Sequence, residues 1–336
     1  MSRGLRMLGR PVLLGVLVSF PCFRSFVGES WRLPHAGRGL GLGRIGRGDG
    51  SGNREWSLMI SAEEAVSGLT EQTMAAAATL LNATGFVVLQ GASLFTELEL
   101  QLGQETADVE LAKVKSAAER LDLLERSPWV RGHNPRKLFE FQEALSYSQG
   151  RLDMPQLIGS PELRRSRWCD HSGLRGIAES AFGRRCEQSV LGALWNFPGS
   201  GPPVWHRDGF DNPLLVAVTA ACDYPQTVGF IHGQPMSHNG ARFSDSEGMK
   251  APIASKGEVG VPLPLRRGET LLFFYTTKHA ATPNLSNLDR CLLYSVHGPV
   301  GVRDEHNHKD FLPSLFKLSK EEATGLDAFY RHHLGI

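Results

Sequence analysis

The sequence predicts a mainly β domain with flanking helices, and three features of the chain indicate this fold class. From about Ser189 onward, short apolar runs alternate with clusters of Gly, Pro, Asn and Asp, which is typical of the strands of a β-sandwich or a barrel. Residues 60–185 have a largely helical pattern, and a capping box near the chain end indicates one more helix. A chain of 336 residues can bury a sizeable core. We therefore expect one domain over residues 55–318, with its β core at about 189–300 and a C-terminal helix at 319–336.

Helix start and stop signals define the first part of this domain. Ser61-Ala-Glu-Glu64 has the form of a capping box, and a second start at Thr70 leads into an alanine-rich run that stops at Gly85. The run Phe86–Leu89 predicts a short buried strand, and Leu94–Arg126 repeats apolar residues at helical spacing. We expect these helices to pack on the outside of the strands that follow.

Strand signals dominate the second part, and a helix signal ends it. Ser319-Lys-Glu-Glu322 is another capping box, ahead of the apolar Phe329 and Tyr330. The runs that predict strands are Val190–Leu194, Leu214–Val218, Val228–Ile231, Leu271–Tyr275 and Cys291–Val296.

The charge of the chain is nearly balanced overall but unevenly placed. Residues 1–54 hold nine arginines, no lysine and two acids, whereas the rest holds 27 basic and 33 acidic residues. A mildly acidic body argues against a protein that binds nucleic acid through a broad basic face. We expect a small-molecule substrate and no nucleic-acid partner, while the oligomeric state stays open. The five scattered cysteines include no CxxC pair, so neither a zinc knuckle nor a disulfide framework is indicated.

The first 54 residues have the composition of a targeting leader. Three arginines precede the apolar run Val12–Phe20, which is far shorter than the roughly 20 residues that span a bilayer but suits a secretory h-region. Residues 24–54 are rich in Arg and Gly and cannot bury enough apolar surface to fold alone. This order resembles the two-part leaders of proteins sent to plastids bounded by extra membranes. We expect a transit peptide with a plastid destination, with the mitochondrion or the secretory pathway as alternatives, and no membrane span in the mature protein.

Two histidine–aspartate pairs at i, i+2 spacing are candidate metal ligands. His206 and Asp208 would point to the same side of an extended segment, and they lie beside a strand-like run between turn residues. The second pair, His308 and Asp310, lies in a polar stretch where solvated surface is the ordinary expectation. His279 follows a strong strand signal and can supply a third ligand from a facing sheet.

Arg290 extends this set toward a specific chemistry. It lies eleven residues after His279 and opens the last strand-like run, so both side chains can face one pocket. Two histidines and one carboxylate on one face of an octahedral Fe(II) leave three positions open. Bidentate 2-oxoglutarate can occupy two of them and dioxygen the third, while an Arg fork binds the far carboxylate with charge assistance. We expect Fe(II) as cofactor, 2-oxoglutarate and dioxygen as cosubstrates, and ascorbate as a possible supporting reductant.

These motifs resemble those of the phytanoyl-CoA dioxygenase-like oxygenases, within the iron/2-oxoglutarate superfamily. Trp205-His206-Arg207-Asp208-Gly209 resembles the family's WHxDG, and His279-Ala-Ala-Thr-Pro-Asn-Leu-Ser286 followed by Arg290 resembles its HxxxPNxS…R. Gly229–His238 resembles, in altered form, a strand and loop that end in PGSH, and Gly85–Leu89 resembles the family's N-terminal strand. The resemblance covers roughly residues 75–300, and its first two motifs are specific.

The resemblance implies a double-stranded β-helix, that is, a cupin-like jelly roll wrapped by helices. It implies a reaction that hydroxylates or otherwise oxidises a C–H bond of a small organic substrate, with release of succinate and CO2. The residues expected to bind the metal and act in catalysis are His206, Asp208 and His279. The residues expected at 2-oxoglutarate are Arg290, Thr282 and Asn196. A carboxylate at Asp208 argues against a halogenase, in which a small residue takes that place.

Two departures from the family pattern bear on this expectation. Ala281 stands where the family often has a hydroxyl residue near 2-oxoglutarate, so the neighbouring Thr282 is the candidate replacement. The PGSH-like loop reads Gln234-Pro-Met-Ser-His238 beside His232, so the substrate, a coenzyme A thioester or another molecule, is not implied. Two alternatives stay open. One is a non-catalytic jelly-roll binding module, and the other is a cupin-type metal enzyme that does not use 2-oxoglutarate.

Overall fold

Two β-sheets form the core of the described part of the chain, one of nine strands and one of three. A computed structural model describes residues 56–130, 137–146, 148–201, 205–209, 213–224, 230–240, 260–304 and 311–334. The predicted leader and the second pair, His308 and Asp310, lie outside the described residues.

The strands of both sheets follow one another from Ser57 to Pro299. They are β1 (Ser57–Ile60), β2 (Phe86–Gly91), β3 (Phe139–Glu140), β4 (Leu145–Ser146), β5 (Arg151–Met154), β6 (Cys186–Asn196), β7 (Leu215–Thr219), β8 (Ile231–Gly233), β9 (Val261–Leu263), β10 (Thr270–Phe274), β11 (His279–Ala281) and β12 (Arg290–Pro299).

The large sheet has the order β1-β2-β10-β7-β12-β6-β5-β4-β3, and the small sheet has the order β11-β8-β9. From β7 onward the chain passes to the small sheet for β8 and β9, returns for β10, crosses again for β11 and returns for β12. All strand pairs among β6 to β12 are antiparallel. This alternation between facing sheets is that of a jelly roll, and it confirms the predicted mainly β, cupin-like fold class.

Helices cover one face of the large sheet and follow its last strand. They are α1 (Ala62–Ser67), α2 (Glu71–Thr84), α3 (Glu97–Arg120), α4 (Ser172–Phe182), α5 (Lys320–Thr324) and α6 (Leu326–Leu334). The predicted capping boxes at Ser61 and Ser319 are both formed. Gly85 ends α2 in the left-handed conformation with φ 92°, which glycine adopts without a Cβ clash. None of the helices in the described residues is long and apolar enough to cross a membrane.

Two apolar layers follow from this arrangement. The larger one lies between the helices and the large sheet and includes Leu100, Val114 and Ile177. The smaller one lies between the two sheets and includes Phe273 of the large sheet and Ile231 of the small one. Strand β12 is buried along its whole length because it lies in the middle of the large sheet and is covered on both faces.

The predicted boundaries need correction in two places. Besides helices and β2, which the run Phe86–Leu89 predicts, residues 60–185 contain β3 to β5, which extend the large sheet at one edge. The C-terminal segment contains two short helices instead of one, separated at Gly325. The strands β3 to β5 are two to four residues long, too short for a period-2 pattern to show.

Candidate active site

Backbone hydrogen bonds bring the two predicted ligand segments together. His206 and His279 form an antiparallel bridge, in which each backbone N–H donates to the other residue's carbonyl oxygen at 3.0 and 2.9 Å. The backbone N–H groups of Asp208 and Gly209 both donate to the carbonyl oxygen of Tyr275, at 3.0 and 3.2 Å. Residues paired in this way have their side chains on the same side. The bridge therefore sets His206 beside His279, and the i, i+2 spacing adds Asp208.

The ligand atoms of the triad converge. Asp208 Oδ1 lies 3.5 Å from His206 Nε2 and 3.7 Å from His279 Nε2, and all three ligand atoms lie within 4.8 Å of one another. The two imidazole rings have centroids 4.3 Å apart. Ligands at about 2 Å from one metal ion are themselves roughly 3 Å apart, so small shifts bring this set to metal-binding geometry.

The hydrogen bond of the His279 ring suits a metal ligand. Its Nδ1 lies 3.0 Å from the carbonyl oxygen of Thr277, and a carbonyl can only accept, so the proton is assigned to Nδ1. The lone pair is then on Nε2, which faces Asp208. A backbone carbonyl that orients a ligating imidazole is the usual arrangement around metal-bound histidines. Thr277 is itself held, because its hydroxyl donates to the carbonyl of Gly85 at 2.8 Å.

Arg290 lies on the interior face of the large sheet, that is, the face turned toward the small sheet. It pairs with Asn196 across β12 and β6, and the i+2 and i+4 positions of its strand, Leu292 and Tyr294, pack in the layer between the sheets. Its side chain is 6% exposed. Burial, together with the nearby charge of Arg151, lowers the pKa of Arg290 to about 10, so it is a cation at neutral pH.

Asn284 organises the turn between His279 and Arg290. Its Nδ2 donates to the carbonyl oxygens of Asn196 and Leu288, at 2.8 and 2.7 Å, and its Oδ1 accepts from the backbone and the hydroxyl of Ser286. The Asn-x-Ser motif of the sequence is thus a structural device that fixes the start of β12 relative to β6.

Two residues predicted at 2-oxoglutarate have other contacts. The hydroxyl of Thr282 accepts from the N–H of Phe230 at 2.8 Å and donates to its carbonyl at 3.2 Å, so this hydroxyl ties β11 to the segment before β8. Asn196 is buried beside Arg290, and its Nδ2 donates to the carbonyl of Thr282 at 3.4 Å. Contacts of either side chain with 2-oxoglutarate stay predictions.

Sequence reasoning missed two polar residues on this interior face of the large sheet. Arg151 and Asp153 belong to β5, and Asp153 accepts a hydrogen bond from the hydroxyl of Tyr294 at 2.8 Å. Burial raises the pKa of Asp153 to about 7; the Tyr294 hydrogen bond opposes the shift, while the charges of Asp208 and Asp304 add to it. The polar residues at 151 and 153 alternate with buried Leu152 and Met154, but this four-residue stretch is too short to predict a strand by itself.

Comparison with known proteins identifies the family. Residues 101–291, more than half of the chain, match the model of the family described as phytanoyl-CoA dioxygenase. No individual curated protein matches the chain. Among solved structures, SnoK, a non-haem alpha ketoglutarate dependent carbocyclase from nogalamycin biosynthesis, is 18% identical with a TM-score of 0.51, over 76% of this chain and 96% of its own.

Two further solved structures are more distant in shape. The epimerase SnoN in complex with Fe3+, alpha ketoglutarate and nogalamycin RO is 19% identical with a TM-score of 0.48, over 68% of this chain and 85% of its own. HygX from Streptomyces hygroscopicus, with nickel, 2-oxoglutarate and hygromycin B bound, is 16% identical with a TM-score of 0.45, over 70% and 90%.

A jelly roll that brings two histidines and one carboxylate together is typical of the class of non-haem Fe(II) oxygenases. Within this class, the chain belongs to the phytanoyl-CoA dioxygenase family. The predicted enzyme class and the predicted dependence on iron and 2-oxoglutarate are thereby confirmed.

Proposed function

We propose that His206, Asp208 and His279 hold the Fe(II), that Arg290 binds the far carboxylate of 2-oxoglutarate, and that the protein oxidises a C–H bond of a small organic molecule. The observation that carries the proposal is the convergence of the three ligand atoms within 4.8 Å. The tautomer of His279 supports it, because the hydrogen bond to Thr277 leaves Nε2 ready to bind a metal.

The donor set fits Fe(II) and not only a generic cation. Two neutral imidazoles and one carboxylate suit a divalent first-row metal, whereas Mg²⁺ and Ca²⁺ prefer oxygen ligands throughout. When bound, the iron supplies the activation of dioxygen coupled to oxidative decarboxylation of 2-oxoglutarate to succinate and CO2. The carboxylate at Asp208 occupies the position that a halide would need, which favours oxygenation over halogenation.

The protein's own residues orient the cosubstrate and exclude water. Arg290 is a buried cation on the interior face of the large sheet, and a guanidinium binds a planar carboxylate through two parallel hydrogen bonds. The apolar layer between the sheets keeps Arg290 itself from bulk water. A cupin-type enzyme that does not use 2-oxoglutarate would have no use for a buried arginine here.

The predicted destination of the protein is part of this proposal. The arginine-rich residues 1–54, with their short apolar run, support a leader for an organelle, with the plastid favoured over the mitochondrion and the secretory pathway.

The metal assignment can be tested with a matched pair of variants. His206→Ala should abolish the weak visible charge-transfer band that Fe(II) and 2-oxoglutarate give together under anaerobic conditions. His308→Ala changes the histidine of the other His-x-Asp pair and should leave the band unchanged. If His206→Ala retains the band, or if His308→Ala loses it, the triad assignment is wrong.

The cosubstrate assignment needs a separate measurement. Arg290→Leu should weaken 2-oxoglutarate binding roughly 100-fold or more, because breaking a buried charge pair typically costs about 3–5 kcal/mol. Iron affinity measured without 2-oxoglutarate should stay close to that of the wild type. An unchanged 2-oxoglutarate affinity would contradict the assignment of Arg290.

A further inference from the structure

We propose that Arg151 is a second cation for the far carboxylate of 2-oxoglutarate, beside Arg290, so that two arginines from different strands enclose this end of the cosubstrate. The inference rests on the proposed function, because it takes the pocket at Arg290 to be the 2-oxoglutarate site.

The sheet register places the two arginines on one face. In β5 and β6, Arg151 is paired with Asn196, and in β6 and β12 the same Asn196 is paired with Arg290. Paired residues on neighbouring strands have side chains on the same face of the sheet, and strands are about 4.8 Å apart. The three side chains therefore form one row across the interior face, with the amide between the two guanidinium groups.

The two positive charges lie close enough to affect each other. The charge of Arg151 contributes, after burial, to the lowered pKa of Arg290, and burial lowers the pKa of Arg151 to about 10 as well. Both arginines are still positively charged at neutral pH. Bringing two desolvated cations together is unfavourable unless an anion lies between or beside them.

Within the described part of the chain, Arg151 meets no carboxylate. Its Nη2 donates to the carbonyl oxygen of Ala281 and, at 3.4 Å, to that of Thr282. Its Nε is buried and has no hydrogen-bond partner among the described residues. Carbonyl oxygens are dipoles and do not neutralise the charge, so the guanidinium has both a charge and a donor left for an anion.

2-Oxoglutarate can supply an anion for the charge and the donor that Arg151 has left. It carries two carboxylates, of which one binds at the metal and the other extends away from it. A far carboxylate bound by Arg290 would lie beside the row that contains Arg151. The carbonyls bound by Arg151 follow His279 by two and three residues, so the same side chain connects the end of the metal-binding strand β11 to the cosubstrate.

The test compares two 2-oxo acids that differ only at the far end. 2-Oxoglutarate and 2-oxovalerate share the metal-binding end and the chain length, but 2-oxovalerate ends in a methyl group. Anaerobic titration of the Fe(II) protein with each acid, in wild type and in Arg151→Leu, measures both dissociation constants. We expect Arg151→Leu to weaken 2-oxoglutarate by tenfold or more and to change 2-oxovalerate by less than about twofold.

Two further variants complete the design. Arg151→Lys keeps the charge and loses the fork, so it should weaken the binding of 2-oxoglutarate less than Arg151→Leu does. If Arg151→Leu does not fold, Arg151→Lys is the deciding variant, and it must then weaken the binding of 2-oxoglutarate but not that of 2-oxovalerate. Arg175→Leu removes an arginine that lies in the first turns of α4 and pairs with Asp170. It should change neither of the two dissociation constants.

Two outcomes would overturn the inference. Equal weakening of both acids would show that Arg151 only supports β11, and an unchanged affinity for 2-oxoglutarate would show that it does not bind this acid. Failure of the proposed function gives a different result from failure of this inference. In that case Arg290→Leu, and not only Arg151→Leu, would leave 2-oxoglutarate binding unchanged.

Discussion

Asn284 is fully buried in the turn that connects the strand of His279 to that of Arg290, and its side chain uses both its donor and its acceptor groups. The two N–H groups donate to the carbonyls of Asn196 and Leu288, and the oxygen accepts two bonds from Ser286. Asn284→Asp keeps the shape and the acceptor bonds. It replaces the amide by an oxygen that faces two carbonyl oxygens at 2.8 and 2.7 Å.

The expected loss of stability follows from these contacts. Two buried hydrogen bonds disappear and leave two carbonyls without a donor, at about 1–3 kcal/mol each. We therefore expect Asn284→Asp to lower the free energy of unfolding by about 2–6 kcal/mol at pH 8, a large part of the 5–15 kcal/mol typical of a domain. The loss should be smaller near pH 5, because a protonated carboxyl can donate one bond again.

The same substitution should affect 2-oxoglutarate. The two carbonyls belong to Asn196, the sheet partner of Arg290, and to Leu288, two residues before it. We expect 2-oxoglutarate affinity to fall tenfold or more in protein that is still folded, with a smaller change in iron affinity. Urea unfolding and anaerobic titration measure the two effects. Ser286→Ala is the control, because Asn284 keeps both of its carbonyl contacts. It removes the hydroxyl's bonds to Asn284 Oδ1 and from the Leu288 N–H, so it should cost about 1–2 kcal/mol.

The reasoning would be refuted if Asn284→Asp unfolded within about 0.5 kcal/mol of the wild type, which is the range of ordinary surface substitutions. It would also be refuted if stability fell but 2-oxoglutarate affinity in the folded fraction did not change, since the turn would then not position Arg290.

Three other predictions concern the barrel interior and the N-terminus. Gly192→Ala should destabilise the protein by about 1–3 kcal/mol, against the usual gain from Gly→Ala, because its Cβ would lie 2.5 Å from the Tyr294 ring; a stabilised variant in thermal unfolding would contradict this. Burial raises the pKa of Asp153 to about 7 in the folded state. Its protonated form therefore contributes fully to stability below about pH 4, and this contribution is lost as the pH rises through 7. Metal-free wild type should therefore lose roughly 2 kcal/mol relative to Asp153→Asn between about pH 5.5 and 8, and parallel pH profiles in urea would exclude it. N-terminal sequencing of the native protein should find the mature start between Phe20 and about Ser57, and an intact Met1 would disprove the leader.

Local patterns in the sequence were sufficient to select three residues whose potential ligand atoms converge in the structure. The i, i+2 spacing of His206 and Asp208 places both on one side of an extended segment whatever the fold. The strand signal before His279 indicates that it can supply a third ligand from a facing sheet. The same kind of pattern predicts the helices capped at Ser61 and Ser319, because a capping box is complete within four residues.

Contacts between distant segments could not be predicted in this way. Arg151 reaches Ala281, 130 residues away, and Asp153 reaches Tyr294, 141 residues away; neither strand β5 nor its register has a local signature. The direction of the Thr282 hydroxyl depends on the pairing of β11 with the segment before β8. The sequence by itself determined which residues can hold the metal, because ligand spacing is a local property of the chain. Only the tertiary structure decided which charges share the pocket with them, because burial and charge proximity arise when strands far apart in the chain become neighbours in one sheet.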